Sequence, residues 1–128
     1  MPPPVCILLV DDFIDALEMY EEYLTFRGYR VVTARSGEGA VAAAKTSAPA
    51  IILMDLRMPG MTGGEALHLI RTDPEMATVP IIALTAHAMV DERRDAMLDG
   101  CTDVIAKPCL PDELAAAIER HLAREGAA

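Results

Sequence analysis

The sequence predicts an α/β domain in which helices cover both faces of a mainly parallel, doubly wound sheet. Short apolar runs alternate with longer segments of helical periodicity in five successive units, which is the pattern of repeated βα elements. Three of the runs are almost wholly apolar, as strands buried on both faces must be. The length of 128 residues fits one domain, residues 1–128, with its own core.

The strands can be ordered from their composition. The first, third and fourth runs are the most apolar and are expected at the centre of the sheet. The second contains Arg30 and Thr33, and the fifth is short, so both are expected at the edges. This assignment suits the strand order 2-1-3-4-5. The predicted strands cover residues 5–10, 30–34, 51–54, 81–84 and 103–106.

Each strand is followed by a segment with helical signals. Gly28 can cap the first helix, Ser36 opens the second, and Pro49 disfavours helical geometry just before it. Gly100 closes the fourth helix, and Pro111 suits the first position of the fifth. We expect residues 1–4 and 124–128 to be flexible ends. The predicted helices cover residues 13–27, 36–45, 65–71, 90–99 and the segment from 111 onward.

Composition excludes several functions. The formal net charge of −9 argues against direct binding to nucleic acid or to an anionic membrane, because both need a basic surface. No apolar run approaches the roughly 20 residues that span a bilayer, and the first residues lack the basic start of a signal peptide. The odd set Cys6, Cys101 and Cys109 has no metal-ligand spacing. A cytoplasmic protein with free thiols and no membrane insertion is therefore expected.

Polar residues stand where four of the apolar runs end. Asp11 and Asp12 follow the first run, Asp55 the third, Thr85 the fourth and Lys107 the fifth. Because parallel strands end at one edge of the sheet, where open α/β folds bind ligands, these side chains are expected to share one crevice. Three carboxylates that meet in this way must raise a pKa or take up a cation, and an all-oxygen ligand set favours Mg²⁺.

The same crevice suits phosphoryl chemistry. A lysine ammonium and a threonine hydroxyl can bind phosphoryl oxygens, so Lys107 and Thr85 would neutralise a phosphoryl group attached to one of the carboxylates. One aspartate would then act as a nucleophile. An acidic cluster that merely solvates a loop is the alternative, and the position at the strand ends favours the functional interpretation.

Four segments carry a resemblance to a known family. Residues 10–12 (Val-Asp-Asp), 54–61 (Met-Asp-Leu-Arg-Met-Pro-Gly-Met), 84–86 (Leu-Thr-Ala) and 106–108 (Ala-Lys-Pro) resemble the signature segments of response-regulator receiver domains of the CheY-like superfamily. They occur in the family's order and separations, and the resemblance covers essentially the entire chain. It implies a flavodoxin-like (βα)₅ fold with strand order 2-1-3-4-5 and a cis bond between residues 107 and 108.

The resemblance also implies a role for each crevice residue. Asp55 would accept a phosphoryl group from a histidine kinase or a histidine phosphotransfer protein, with Mg²⁺ as cofactor. Thr85 and Lys107 would bind the phosphoryl group. The metal would be held directly by Asp12 and Asp55, through water by Asp11, and by the backbone carbonyl of Arg57.

Two features of the sequence qualify that pattern. Val104 stands where many family members carry a tyrosine or phenylalanine whose ring moves inward when the threonine engages the phosphoryl group. A valine side chain cannot make a comparable movement. Arg57 and His87, two residues after Asp55 and Thr85, are expected at the rim, where we hypothesise that they shield or orient the water that hydrolyses phospho-Asp55. Two solvated side chains are the alternative. A phospho-Asp55 lifetime within about twofold of wild type in both Arg57→Ala and His87→Ala would exclude the shielding role.

The resemblance implies a stand-alone signalling module that catalyses only its own phosphorylation and dephosphorylation. Its output would be a changed surface for a downstream protein, formed by the fourth helix, the last strand and the last helix. A receiver fragment of a hybrid histidine kinase is the main alternative. An aspartyl-phosphate phosphatase is disfavoured because Arg57 stands where a second acid is expected, and a flavin binder because Asp11 and Asp12 would repel the flavin phosphate. His68 and His121 are expected at helix surfaces with structural roles.

Overall fold

Five βα units form one parallel sheet between two layers of helices. The computed structural model describes residues 4–86 and 89–126. The strands are β1 (Cys6–Val10), β2 (Arg30–Ala34), β3 (Ile51–Asp55), β4 (Ile81–Thr85) and β5 (Asp103–Ala106). The helices are α1 (Ile14–Phe26), α2 (Gly37–Ser47), α3 (Gly63–Thr72), α4 (Val90–Asp99) and α5 (Pro111–Gly126), with a 3₁₀ turn at Pro74–Met76. The strand order β2-β1-β3-β4-β5 confirms the predicted flavodoxin-like α/β fold.

Alternate residues of the central strands pack into two separate cores. In β1, Ile7 and Leu9 join a cluster with α1 and α5, whereas Leu8 and Val10 join a cluster with α2, α3 and α4. All four are fully buried, which explains why the strand is apolar at every position. Arg30 opens the edge strand β2 and is exposed, as the composition of that strand predicts.

The strand register brings the polar residues to one edge of the sheet. Asp55 pairs with Leu84, and Thr85 pairs with Ala106. Asp55 and Thr85 are therefore the last residues of β3 and β4, one position beyond the predicted ends. The hydrogen-bond ladder continues past them, since the backbone N–H of Lys107 donates to the carbonyl of Thr85 at 2.8 Å.

The start of α3 differs from the prediction in a way that shapes this edge. The helix begins at Gly63, because Thr62 and Glu65 form a reciprocal capping box in which each side chain accepts from the backbone N–H of the other. A Cβ at Gly63 would lie 2.5 Å from the Cα of Leu56. This glycine therefore permits close packing of α3 against the residue after β3, rather than forming a loop.

Two helices continue into residues that the sequence predicted as a loop or as a flexible end. α2 continues to Ser47, because the hydroxyls of Thr46 and Ser47 donate to backbone carbonyls one turn earlier and so fit the helix. Ala48 caps its C-terminal end with the left-handed φ of 45°. α5 runs to residue 126, into the segment 124–128. Within residues 4–86 and 89–126, no helix has the length and apolar character that a bilayer span requires.

His121 is buried in α5, and its predicted surface position is wrong. Its side chain is 5% exposed, and Nε2 lies 2.9 Å from Oδ2 of Asp103 in β5. Nη2 of Arg120 lies 3.3 Å from the same oxygen. Burial works to raise the pKa of Asp103, but the hydrogen bonds from His121 and from the amide of Val104 hold it below its usual value. A buried histidine is tolerated because a carboxylate on the neighbouring strand partners it.

Candidate functional site

The carboxyl ends of the strands bring together the five polar residues that the sequence indicated. Asp11 follows β1, Asp55 and Thr85 end β3 and β4, and Lys107 follows β5. Asp11, Asp55 and Thr85 are buried, whereas Asp12 is accessible to solvent. We refer to these five residues as the acidic crevice. It opens at the edge of the sheet where α/β folds bind their ligands.

Lys107 is the cation that compensates the buried carboxylates. Its Nζ lies 2.8 Å from Oδ2 of Asp11 and 3.7 Å from Oδ2 of Asp55. Burial alone would lower the pKa of Lys107, but the hydrogen bond to Asp11 and the attraction of Asp55 raise it above its usual value. The ammonium therefore stays charged at neutral pH. The peptide bond that follows it, to Pro108, is cis, as the family resemblance implies.

Backbone amides orient the two buried carboxylates. Oδ1 of Asp11 accepts from the N–H of Phe13 at 3.0 Å, and Oδ1 of Asp55 accepts from the N–H of Arg57 at 3.0 Å. In both residues the other oxygen, Oδ2, is the one close to Lys107. Each carboxylate is thus held by its own turn on one side and by the ammonium on the other, so its oxygens are placed before any ligand arrives.

The surroundings of Asp55 disfavour its ionised form. Burial raises the pKa of this carboxyl group to about 6, and the negative charge of Asp11 adds to the effect. The amide of Arg57 and the ammonium of Lys107 act in the opposite direction but do not cancel the burial. A further positive charge in the acidic crevice would favour the carboxylate.

The acidic crevice fits a small divalent cation. Asp11, Asp12 and Asp55 each offer one oxygen, and these atoms lie within 4.8 Å of one another. Three carboxylates face one ammonium, which leaves negative charge uncompensated. Carboxylate oxygens next to a solvent-accessible opening suit Mg²⁺, which binds through one or two carboxylates and keeps several waters. Arg57, the remaining expected ligand through its carbonyl, is held beside Asp55 by its own amide hydrogen bond.

The rim of the acidic crevice contains a contact that the sequence did not indicate. Nη2 of Arg57 lies 3.9 Å from Oε1 of Glu92 in α4. The sequence feature that could have indicated this contact is the position of Glu92 as the third residue of its helix, where an acidic side chain commonly reaches back to the helix start. His87, the other expected rim residue, lies outside the described residues. Val104 is buried in the core, and its carbonyl accepts from Nη1 of Arg93 at 3.1 Å.

Sequence comparisons agree with this geometry. The family described as the response regulator receiver domain matches residues 7–119. The probable transcriptional regulatory protein TcrX of Mycobacterium tuberculosis is 32% identical over 123 residues, which are 96% of this chain and 52% of that protein. The chain spans about half the length, or less, of the curated relatives it matches.

Solved structures share both the architecture and the chain length. The chemotaxis protein CheY4 of Vibrio cholerae superposes with a TM-score of 0.88 at 31% identity, covering 91% of this chain and 98% of that one. The receiver domain of the sensor histidine kinase PA1611 from Pseudomonas aeruginosa superposes with a TM-score of 0.87 at 36% identity, covering 94% and 98%. That domain holds a magnesium ion coordinated in its active-site cleft.

Proposed function

Because the chain belongs to the response-regulator receiver family, we propose that it is a phosphorylatable signalling module whose acceptor is Asp55. The observation that carries this proposal is the place of Lys107, whose Nζ lies 3.7 Å from an oxygen of Asp55. An ammonium at that distance can contact the oxygens of a phosphoryl group on Asp55. The donor would be a phosphohistidine of a histidine kinase or of a histidine phosphotransfer protein.

The proposed step is a direct transfer from nitrogen to oxygen. A carboxylate oxygen of Asp55 donates an electron pair to phosphorus and forms the O–P bond, while the P–N bond of the phosphohistidine breaks and its electron pair stays with the imidazole. The imidazole leaves as a neutral ring when its other nitrogen already carries a proton. Positioning and charge neutralisation are the main requirements of such a reaction. Arg57 orients Asp55 through its amide, and Lys107 supplies fixed positive charge.

We assign Mg²⁺ to the carboxylates of the acidic crevice. When bound, the metal supplies positive charge to the phosphoryl oxygens. Asp12, the most accessible of the three acids, can exchange water for the ion most easily, whereas Asp11 and Asp55 are already oriented by backbone amides. The proposed ligands are Asp11, Asp12, Asp55 and the backbone carbonyl of Arg57.

The proposed output is a changed surface for a downstream protein. A shift from 1:99 to 99:1 between two conformations needs about 5.5 kcal/mol of differential interaction. New contacts of the phosphoryl group with Lys107 and Thr85 are the proposed source. The surface that changes is the α4–β5–α5 face, and neither direct nucleic-acid binding nor membrane insertion is part of the proposal. We place the module in the cytoplasm, where its three cysteines, free in the structure, stay reduced.

A receiver attached to a hybrid histidine kinase is the second candidate. The similarity to the receiver domain of the sensor histidine kinase PA1611 favours it. Both candidates share the chemistry at Asp55 and differ only in what the domain is attached to. The length of the native polypeptide, measured by intact mass of the endogenous protein, distinguishes them.

Incubation with acetyl phosphate and Mg²⁺, followed by intact mass measurement, tests the proposed function. We expect the mass of one phosphoryl group to be added. With EDTA in place of Mg²⁺ we expect the labelled fraction to fall by about tenfold or more, because the uncompensated carboxylates then repel the phosphoryl oxygens. An unchanged mass in the presence of Mg²⁺, or equal labelling in EDTA, would contradict the proposal.

A further inference from the structure

α4 is attached to the rest of the domain unevenly along its length. Among the residues of α4 that the structure describes, Ala96 alone is buried. Few apolar contacts therefore hold the helix in place. Its C-terminal end is secured by Gly100, which has a φ of 117° and whose carbonyl accepts from Nε of Arg71 in α3 at 2.8 Å. The N-terminal turn lacks comparable burial, because Val90 is 79% exposed. The position of this turn therefore depends on polar contacts.

Glu92 provides two of those contacts with one carboxylate. Its Oε2 accepts from the backbone N–H of Met89 at 3.2 Å and so caps the start of α4. Its Oε1 lies 3.9 Å from Nη2 of Arg57, which belongs to the loop after β3. The methionine side chain at the N-cap carries no oxygen and cannot supply the other half of a capping box. The first turn of α4 is thus linked to the loop of the acidic crevice through Glu92.

Arg57 stands between this link and the proposed acceptor. Its own N–H donates to Oδ1 of Asp55 at 3.0 Å, so its side chain begins directly beside the carboxylate. A cleft of about 200 Å³ separates the loop from α4, and Thr85 also lines it. Three carboxylates of α4 line the opposite wall, and among the described lining residues Arg57 is the one cation. The Arg57 side chain is 62% exposed, so solvent rather than packed atoms surrounds most of it, and of its contacts with described residues a turn toward Asp55 would break only the one with Glu92.

We propose that Arg57 exchanges partners on phosphorylation, and that Glu92 is the positioning residue that holds it in the unmodified protein. This inference rests on the proposed function, because it requires a phosphoryl group on Asp55. Phosphoryl oxygens carry more charge than a carboxylate and match the fork of a guanidinium, whereas an exposed pair at 3.9 Å is weak. Arg57 therefore leaves Glu92 and binds the phosphoryl group. Glu92 then loses one of its two contacts, and the first turn of α4 loosens.

This exchange gives the chain a route from Asp55 to α4 that does not use position 104. The side chain there is the buried Val104, which has no ring to rotate. The partner exchange instead needs a cation after β3 and an acid in the first turn of α4. Arg57 and Glu92 supply both.

Hydrogen–deuterium exchange of the first turn of α4 tests the proposal. The amides of Arg93 and Arg94 report on this turn, since the N–H of Arg93 donates to the carbonyl of Met89 at 2.9 Å. In wild type, acetyl phosphate and Mg²⁺ are expected to speed their exchange by about two- to fivefold, the range that loss of an exposed ion pair allows. Glu92→Gln keeps an oxygen for the helix cap but loses the charge. In this variant the amides of Arg93 and Arg94 are expected to exchange faster by the same factor before phosphorylation. Phosphorylation is expected to cause no further increase in their exchange.

Two further variants separate the ion pair from general effects. Arg57→Met is expected to reproduce Glu92→Gln, and the double variant to be no faster than either single one, as a shared interaction requires. Asp95→Asn is the matched control, because Asp95 lines the same cleft but pairs with Arg94, at 3.9 Å. It is expected to respond to phosphorylation as wild type does.

The intact mass of the same samples distinguishes the possible failures. If the phosphoryl mass is added but Arg93 and Arg94 exchange as before, the partner exchange is wrong and the proposed function stands. If no mass is added, the proposed function fails and this inference fails with it. If the amides of Arg93 and Arg94 exchange at the wild-type rate in unphosphorylated Glu92→Gln, the proposed link between Glu92 and Arg57 is wrong, whether or not Asp55 can be phosphorylated.

Discussion

Replacing Asp55 by asparagine is expected to abolish phosphorylation by acetyl phosphate. The amide has nearly the shape of the carboxyl group and can still accept the hydrogen bond from the N–H of Arg57, which measures 3.0 Å in the structure. What it lacks is the negative oxygen that attacks phosphorus. We expect labelling, measured by intact mass in the presence of Mg²⁺, to fall below about 1% of the wild-type level.

Asp95→Asn is again the control for this loss. It removes one carboxylate from the same side of the domain, at a side chain that is 69% exposed, and is expected to label like wild type. Labelling that persists in Asp55→Asn would place the acceptor elsewhere. Peptide mapping would then be directed first at Asp11 and Asp12, the other acids within reach of the same phosphoryl donor.

The same replacement is expected to stabilise the metal-free protein at pH 8. Burial raises the pKa of Asp55 to about 6 in the folded state, above the ordinary value of 3.8. The folded protein therefore binds this proton more tightly than the unfolded chain, and ionisation of Asp55 lowers the free energy of unfolding. A difference of this size corresponds to at most about 3 kcal/mol, so we expect Asp55→Asn to gain about 1–3 kcal/mol.

The sign of this effect gives it a characteristic pH profile. Stability contributed by protonated Asp55 is present below about pH 4 and is lost as the pH rises through about 6, the pKa in the folded state. Urea unfolding in EDTA should show the gain of Asp55→Asn over wild type at pH 8 and almost none at pH 4. Mg²⁺ should reduce the difference in free energy of unfolding between Asp55→Asn and wild type at pH 8, because an ion bound only by the folded state stabilises wild type. If Asp55→Asn is less stable than wild type at pH 8 in EDTA, burial does not raise the pKa of Asp55 as described. The control Asp95→Asn should have a free energy of unfolding within about 0.5 kcal/mol of wild type.

The strands were predictable because burial on both faces leaves little choice of residue. β3 and β4 are buried at every position, and the first polar side chains along them, Asp55 and Thr85, mark the end of each strand within one residue. The helix limits were harder to predict because local hydrogen bonds decide them. The hydroxyl of Ser47 donates back to a carbonyl of α2 at 2.6 Å and so continues the helix, although serine at the end of a helical pattern is often part of a turn.

The same distinction applies to the site. The acidic crevice followed from the sequence because each of its residues stands at the end of a strand, and the ends of parallel strands meet at one edge. The ion pairs that join different elements did not follow from it. A helical pattern shows which residues share a face, but it does not show that His121 meets Asp103 or that Glu92 meets Arg57.

The contact of buried His121 with Asp103 distinguishes the two helices beside β5 in how firmly they are held. It links α5 to the strand, whereas the N-terminal half of α4 is held mainly by polar contacts of Glu92 and Arg93. A protein that contacts both helices therefore meets one stationary side and one adjustable side. If the proposed α4–β5–α5 face binds the downstream protein, we expect substitutions on α5 to change which partner is recognised and substitutions on α4 to change how strongly binding depends on phosphorylation. Under that proposal, a duplicated copy of this domain could acquire a new partner through changes on α5 while its response to phosphorylation, carried by α4, stays the same.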